Sequence, residues 1–188
     1  MKKLGITGLI SSGKSTFAKF LSKNKYPIFD ADKIVKSIYL KKTIRSKIQK
    51  VFRLKKEKNL KREVIKIIKN NKSNLKKLEL IIHPEVRKEM KRFTVRKAKK
   101  KILIFDIPLL VESKLMDHFD QTIFVNCNQK TRLKRYIKKG GNENLFKTLN
   151  SRQMKPEKKI KFCSYKVTNN KNLKYLKENA NLIINKYE

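Results

Sequence analysis

The sequence is poor in the residues that characterise several common protein classes. Its 188 residues include no tryptophan, two cysteines, four prolines and five glycines. Cys127 and Cys163 are too few for a disulfide framework and lack metal-ligand spacing, which fits a reduced setting. No apolar run in the sequence approaches the length of a membrane span. The composition therefore predicts a globular protein of the cytoplasm with no membrane partner.

Acidic residues are also scarce, with 15 Asp and Glu against 51 Lys and Arg and a net charge of +36. Such a charge raises the question of a nucleic-acid partner. However, 42 of the basic residues are lysine and only 9 are arginine, whereas a dedicated nucleic-acid groove favours arginine and clustered aromatic residues. We therefore expect a charge spread over the surface that attracts anionic nucleotides, with no specific nucleic-acid partner.

One segment carries a clear chemical signal: Gly8 to Ser15 fits the phosphate-binding pattern G-x-x-x-x-G-K-[S/T]. A short apolar strand precedes it and an amphipathic helix follows it, as this loop requires. Its glycines let backbone N–H groups converge on phosphate oxygens at a helix N-terminus. Lys14 supplies a charge for the β- and γ-phosphates, and Ser15 a hydroxyl for Mg²⁺. The predicted ATP-binding residues of this segment are Gly8, Ser11, Ser12, Gly13, Lys14, Ser15 and Thr16.

The rest of the chain alternates apolar strands with basic helical segments, which predicts a parallel sheet covered on both faces. Residues 33–100 are predicted to be helical, with a break at His83-Pro84 before a helix over 85–96. Residues 143–162 are predicted to form one helix, and 165–169 a last strand. At this length we expect one domain.

Two carboxylates follow the second predicted strand, at the edge of a parallel sheet where ligands bind. In Asp30-Ala31-Asp32, either Asp can cap the helix that follows. A carboxylate here can also accept the proton of an attacking hydroxyl or help to hold Mg²⁺. We assign the chemistry to Asp32 and a structural role to Asp30.

Other candidates are weaker when each is taken alone. Asp106 ends a buried strand, as in a Walker B element, and Glu112 either contacts substrate or is a first-turn carboxylate favoured by the helix dipole. His83 is a lone histidine, of the kind that is usually structural, and Arg87 is one helical turn further on. The basic stretch 132–135, with Arg152 and Lys159, is a candidate for a mobile lid that neutralises transferring phosphate.

Taken together, these segments resemble the dephospho-coenzyme A kinase family, in order along nearly the whole chain. The first motif is similar to the family's G-[L/I]-T-G-G-I-G-S-G-K-S, although Leu9 and Ser11 stand where the family usually has glycine. The lid also departs from the family, since Lys139-Gly140 replaces the usual Arg-Asp. The further matching segments are Asp30–Asp32 (D-A-D), Ile82–Arg87, Pro108–Glu112 (P-L-L-x-E), Lys134-Arg135, Gln153-Met154 with Lys159, and Asn169.

The resemblance implies an α/β fold of the P-loop NTPase type, with three layers and a five-stranded parallel sheet. It implies a single kinase domain over 1–188, whose core is 1–34, 97–127 and 163–188. A helical substrate-binding insert is expected at about 35–96 and a lid at about 128–162. The implied reaction is phosphorylation of the ribose 3′-hydroxyl of dephospho-CoA by ATP with Mg²⁺, in a protein expected to be a monomer, although an oligomer stays open.

The resemblance also implies residue roles. Asp32, Lys14 and Arg135 would be catalytic, and Asn169 would lie near the nucleotide base. The implied substrate-binding residues are Asp32, His83, Arg87, Pro108, Leu109 and Glu112. Two alternatives stay open: another small-metabolite or nucleoside-monophosphate kinase with the same loop, and a basic nucleic-acid-dependent NTPase.

Overall fold

A computed structural model describes residues 1–54, 60–71 and 73–188. The strands are β1 (Lys2–Gly8), β2 (Ile28–Asp30), β3 (Ile102–Asp106), β4 (Gln121–Asn126) and β5 (Tyr165–Thr168). The α-helices of the described residues are α1 (Lys14–Ser22), α2 (Ala31–Ile38), α3 (Lys42–Phe52), α4 (Leu60–Asn70), α5 (Ser73–Arg96), α6 (Gln129–Lys138), α7 (Glu143–Ser151), α8 (Pro156–Lys159) and α9 (Leu173–Ile184). Short 3₁₀ turns cover Met116–His118 and Ile160–Phe162. None of the helices in these ranges is long and apolar enough to cross a membrane.

The five strands form one parallel sheet in the order β2-β3-β1-β4-β5, which confirms the predicted fold class. The central strand β1 is flanked on both sides, with Ile6 opposite Asp106 of β3 and Ile123 of β4. Residues 4–8 of β1 are all buried, as expected for a parallel strand between two other layers. The carboxyl ends of the strands therefore meet at one edge, where the loop after β1 begins.

One face of the sheet is covered by α1 and α9. Phe17 and Leu21 of α1 and Leu176 of α9 are fully buried in one cluster with Leu4 and Ile6 of β1. Burying side chains of this size stabilises the fold by about 1.5–3 kcal/mol each. This packing fixes α1, and therefore the loop at its N-terminus, against the sheet.

The chain divides into two compact units, Met1–Asp30 with Lys97–Glu188, and Ala31–Arg96. The second unit contains α2 to α5, which enclose an apolar core of their own. That core includes Ile38, Ile44, Ile48, Val64 and Ile82. The predicted assignment of a kinase core, an insert and a lid remains a prediction about function.

The predicted helix break at His83-Pro84 is wrong, because α5 runs without interruption from Ser73 to Arg96. Proline lacks an N–H, so the carbonyl of Leu80 loses its helical partner at this point. Leu80 is 77% exposed, which leaves that carbonyl able to bind water. Ile82 and Val86, on either side of the proline, pack into the apolar core of the second unit and hold the helix together.

The single helix predicted over residues 143–162 is also wrong. The segment contains α7, a short connection, α8 and a 3₁₀ turn. Pro156 is the first residue of α8, where its missing N–H costs nothing and its fixed φ favours a helix start. The residue before a proline avoids the helical region, so Lys155 is extended and the chain turns between the two helices.

Candidate active site

The phosphate-binding motif forms a tight loop between β1 and α1. Gly13 has a φ of 95°, and a Cβ at this position would overlap the side-chain nitrogen of Asn169. A Cβ on Gly8 would lie 2.5 Å from the carbonyl oxygen of Val125. Ser11 adopts a left-handed φ of 57° without being glycine, which costs about 1–2 kcal/mol. The loop is therefore seated closely on the ends of β4 and β5.

Lys14 and Ser15 lie at the start of α1, as the motif predicts. Lys14 is buried, and its Nζ donates to the carbonyl of Leu9 at 3.2 Å, so its side chain folds back over the loop. The Ser15 hydroxyl donates to Asp106 Oδ2 at 2.6 Å. Asp106 is the buried last residue of β3. A hydroxyl beside a carboxylate provides the oxygen donors that Mg²⁺ prefers, so these residues fit the implied ion.

The side chains of Arg135 and Asn169 both contact the backbone of the loop. Both donate to the carbonyl of Ser12, Asn169 through Nδ2 at 2.8 Å and Arg135 through Nη1 at 3.5 Å. A second guanidinium nitrogen of Arg135 donates to the carbonyl of Asn169 at 3.2 Å. The two residues expected at the lid and near the base thus form one group against the loop, with Asn169 buried. The nearby Cys127 thiol has its pKa raised by burial.

Arg132 of α6 is a second buried guanidinium at the loop. It donates to the side-chain oxygen of Asn150 at 2.6 Å, to the carbonyl of Cys127 at 3.0 Å, and to the carbonyl of Ile10 at 3.5 Å. Its guanidinium also lies over the ring of Phe146. Burial lowers the pKa of Arg132. The sequence pattern placed Arg132 in the predicted lid but did not distinguish it from its basic neighbours.

The segment Pro108–Glu112, predicted to bind the acceptor, makes contacts within the protein. The Pro108 carbonyl accepts from Thr7 Oγ1 at 2.9 Å and from Lys159 Nζ at 2.7 Å. The Glu112 carboxylate forms an ion pair with Lys159. Leu109 is 37% exposed and so is accessible to a ligand.

Asp32, His83 and Arg87 belong to the second unit. Asp32 is exposed in the first turn of α2, two residues after β2 ends. His83 is half-buried in α5, and Arg87 is exposed one turn further on. The first unit thus brings together the loop, Asp106, Arg135, Asn169 and Glu112. Gln153, whose Oε1 accepts from the backbone N–H of Ile10 at 2.7 Å, is a further loop contact that the predicted site residues did not include.

A cavity of about 860 Å³ opens beside the loop at Leu9, within the size range of ligand pockets. Its lining is rich in side chains that both donate and accept hydrogen bonds. The amide side chains of the lining are Asn126, Asn128, Gln129, Asn150 and Gln153, and Arg132 adds donors only.

Comparison with known proteins finds relatives over most of the chain. Residues 3–175 match the family model of the dephospho-CoA kinases. A dephospho-CoA kinase of Fusobacterium nucleatum is 36% identical over 178 residues, 92% of each chain. The crystal structure of TT1252 from Thermus thermophilus has a TM-score of 0.87 at 25% identity, covering 100% of this chain and 98% of that one. A dephospho-CoA kinase structure from Campylobacter jejuni shares the fold at a TM-score of 0.71 and 24% identity, over 98% and 96% of the two chains. By its sequence over nearly all of its length, the chain belongs to the dephospho-CoA kinase family.

Proposed function

We propose that this chain transfers the γ-phosphoryl group of ATP to the 3′-hydroxyl of the dephospho-CoA ribose, giving coenzyme A and ADP. The chain is an ATP-dependent phosphotransferase with an alcohol group as acceptor. The observation that carries the proposal is the phosphate-binding loop, with Lys14 at its end and the Ser15–Asp106 pair beside it, in a chain of this family.

The first unit would bind the nucleotide. The backbone N–H groups of Ser11 to Thr16 would surround the phosphates, and Lys14 would exchange its contact with Leu9 for the β- and γ-phosphates. Ser15 and Asp106 would hold Mg²⁺, which supplies positive charge to the phosphates when bound. Arg135, held at the Ser12 carbonyl, carries a positive charge close to the loop that would stabilise the transferring group.

The acceptor step would depend on the carboxylate of Asp32. Asp32 would accept the proton of the 3′-hydroxyl while the hydroxyl oxygen bonds to the γ-phosphorus. The bond between the γ-phosphorus and the β–γ bridging oxygen breaks, and ADP leaves. The exposure of Asp32 and its place in the first turn of α2, two residues after β2 ends, support this role. His83, Arg87, Pro108 and Leu109 would bind the acceptor, and closure of the lid over 128–162 would exclude water.

Three wider aspects of function are proposals of the same kind. We infer a monomer in the cytoplasm that has no specific nucleic-acid partner. The excess of lysine over arginine supports the last point, because arginine is the better residue for phosphate recognition in a dedicated groove.

A coupled assay of ADP release, with and without dephospho-CoA, tests the proposal. We expect release to rise at least about tenfold with dephospho-CoA and to stay at its basal rate with nucleoside monophosphates or RNA. Stimulation by RNA, or by a nucleoside monophosphate in preference to dephospho-CoA, would refute it.

A further inference from the structure

The ion pair between Glu112 and Lys159 is largely buried, with the lysine end inaccessible to solvent and the Glu112 side chain 20% exposed. Lys159 is fully buried, and its Nζ lies 3.0 Å from Oε1 and 2.9 Å from Oε2 of Glu112. Burial lowers the pKa of Lys159, and the carboxylate of Glu112 opposes that shift. A buried pair of this kind fixes the groups around it, because separating the two charges leaves one of them uncompensated.

The pair reaches the phosphate-binding loop along a first route, through Gln153. Oε1 of Glu112 accepts from the backbone N–H of Met154 at 3.0 Å, which fixes the chain in the connection between α7 and α8. Gln153 is the preceding residue, and its side-chain oxygen accepts from the N–H of Ile10 at 2.7 Å. Two hydrogen bonds, made by the neighbouring residues Met154 and Gln153, thus connect the Glu112 carboxylate to Ile10, the third residue of the loop.

The pair reaches the loop along a second route, through Pro108. Lys159 Nζ donates to the Pro108 carbonyl at 2.7 Å, and the same carbonyl accepts from Thr7 Oγ1 at 2.9 Å. Thr7 directly precedes Gly8, where the loop begins. The backbone is therefore held on both sides of Gly8-Leu9 by groups that one buried ion pair positions.

We propose that Gln153 is a positioning residue for ATP binding, and that the Glu112–Lys159 pair holds Gln153 in place. The Gln153 oxygen sets the direction of the Ile10 amide, and this fixes the loop backbone whose following N–H groups would receive the phosphates. The inference rests on the proposed function, because it assigns these residues to the nucleotide side of that reaction. It gives Glu112 a role inside the protein, in place of the direct acceptor contact that the family resemblance implies.

The experiment compares Gln153→Met, Glu112→Gln and the double variant. The methionine keeps the length of the side chain and removes the oxygen, and the matched control Lys158→Met changes the exposed neighbour of Lys159. Calorimetry measures the Kd of a non-hydrolysable ATP analogue with Mg²⁺, and steady-state kinetics measure the KM of each substrate. Loss of the hydrogen bond to Ile10 predicts a roughly three- to tenfold weaker Kd for Gln153→Met. Loss of the charge that pairs with Lys159 should loosen the position of Gln153 and weaken the Kd of Glu112→Gln by a similar factor. We expect the KM of dephospho-CoA to change less than about twofold in both variants, and the control to match the wild type.

Coupling between the two residues is the decisive readout. Since both act through one contact, the double variant should bind the analogue within about twofold of the weaker single variant. If the fold-changes in Kd of the two single variants multiply in the double variant, the inference is overturned. A Glu112→Gln variant that changes only the KM of dephospho-CoA would also overturn it. If Glu112→Gln does not fold, the half-exposed Gln153→Met decides alone, and wild-type affinity in that variant overturns the inference. A wild type that binds the analogue while Gln153→Met is unaffected refutes only this inference, whereas a wild type without ATP binding refutes the proposed function as well.

Discussion

The hydroxyl of Ser15 lies 2.6 Å from Oδ2 of Asp106, so the first turn of α1 is joined to the end of β3. The two residues are separated by 91 positions in the chain. Their proximity follows from the parallel sheet, in which Ile6, just before the loop, stands opposite Asp106. The pair therefore presents oxygen donors at the position where the motif predicts a metal-bound triphosphate.

Replacing Asp106 should impair the use of Mg²⁺ more than the fold. Asp106→Asn keeps the size of the side chain and removes its charge, so we expect kcat to fall about 10²-fold and the Mg²⁺ concentration for half-maximal rate to rise. A titration of activity with Mg²⁺ measures both quantities. Asp117→Asn, at an exposed aspartate, is the control. An unchanged Mg²⁺ requirement in Asp106→Asn would show that Ser15 and Asp106 do not bind the ion.

Lys14 should be required for turnover. Lys14→Ala removes the charge that would meet the β- and γ-phosphates, and we expect kcat to fall at least about 10²-fold. Lys19→Ala is the matched control, because Lys19 is exposed on the same helix. Circular dichroism and thermal unfolding check that both variants fold. Near-normal turnover of folded Lys14→Ala would contradict the role assigned to this lysine.

Asp32 should be required for the acceptor step. Asp32→Asn removes the proton acceptor and is expected to lower kcat at least about 10²-fold with an unchanged Kd for ATP. Asp30→Asn, two residues earlier, should lower kcat less, since we assign Asp30 a structural role. Comparison of kcat for the two variants decides between them. A larger loss of kcat in Asp30→Asn would indicate that Asp30 is the proton acceptor and that Asp32 is structural.

Gly13 should tolerate a side chain less well than Gly140. Both have positive φ, 95° and 83°, but a Cβ on Gly13 would overlap Asn169, whereas nothing lies within 4 Å of a Cβ on Gly140. We expect Gly140→Ala to lower the free energy of unfolding by about 1 kcal/mol and Gly13→Ala by about 2–3 kcal/mol. Denaturant titration measures both changes. Equal losses would show that backbone strain alone restricts Gly13.

The side chain of Glu188 should contribute to stability in a pH-dependent way. Lys23 and Tyr26 hydrogen-bond to this carboxylate, at 2.7 and 2.9 Å, and lower its pKa from 4.5 to about 2. A carboxyl whose pKa is lowered by folding stabilises the protein above pH 4.5 and loses that effect as the pH falls towards about 2. The unfolding free energy of Glu188→Gln should therefore be lower than that of the wild type at neutral pH. The two values should converge as the pH falls from 4.5 towards about 2. Glu157→Gln, at an exposed glutamate, should follow the wild type. A constant difference across the window would exclude the pH-dependent contribution.

Local patterns were sufficient to predict the strands and the phosphate-binding loop. The loop is a contiguous motif whose glycines are fixed by backbone geometry, and β3 is a continuous apolar run of the kind that only a doubly covered strand needs. The predicted helix break at Pro84 is wrong because packing of Ile82 and Val86 outweighs the local preference of proline against a helix. That packing depends on the folded second unit and cannot be predicted from the local sequence.

Contacts between distant segments could not be predicted in the same way. Gln153 and Ile10 are 143 positions apart, and Glu112 and Lys159 are 47 apart. The family resemblance singles out Lys159 over the exposed Lys158 beside it, but it does not predict the burial of Lys159 or its pairing with Glu112. Arg132 lies among basic residues of α6 and is distinguished by its burial against the loop. Which basic residues are solvated and which support the site is decided by tertiary packing.

The most direct measurement follows the phosphoryl group itself. The protein is incubated with γ-labelled ATP, Mg²⁺ and dephospho-CoA, and the labelled product is isolated and its phosphorylated position determined by NMR. We expect coenzyme A labelled on the ribose 3′-oxygen, with one ADP formed for each product molecule. Label found only in inorganic phosphate, or on an acceptor other than that hydroxyl, would contradict the proposed function.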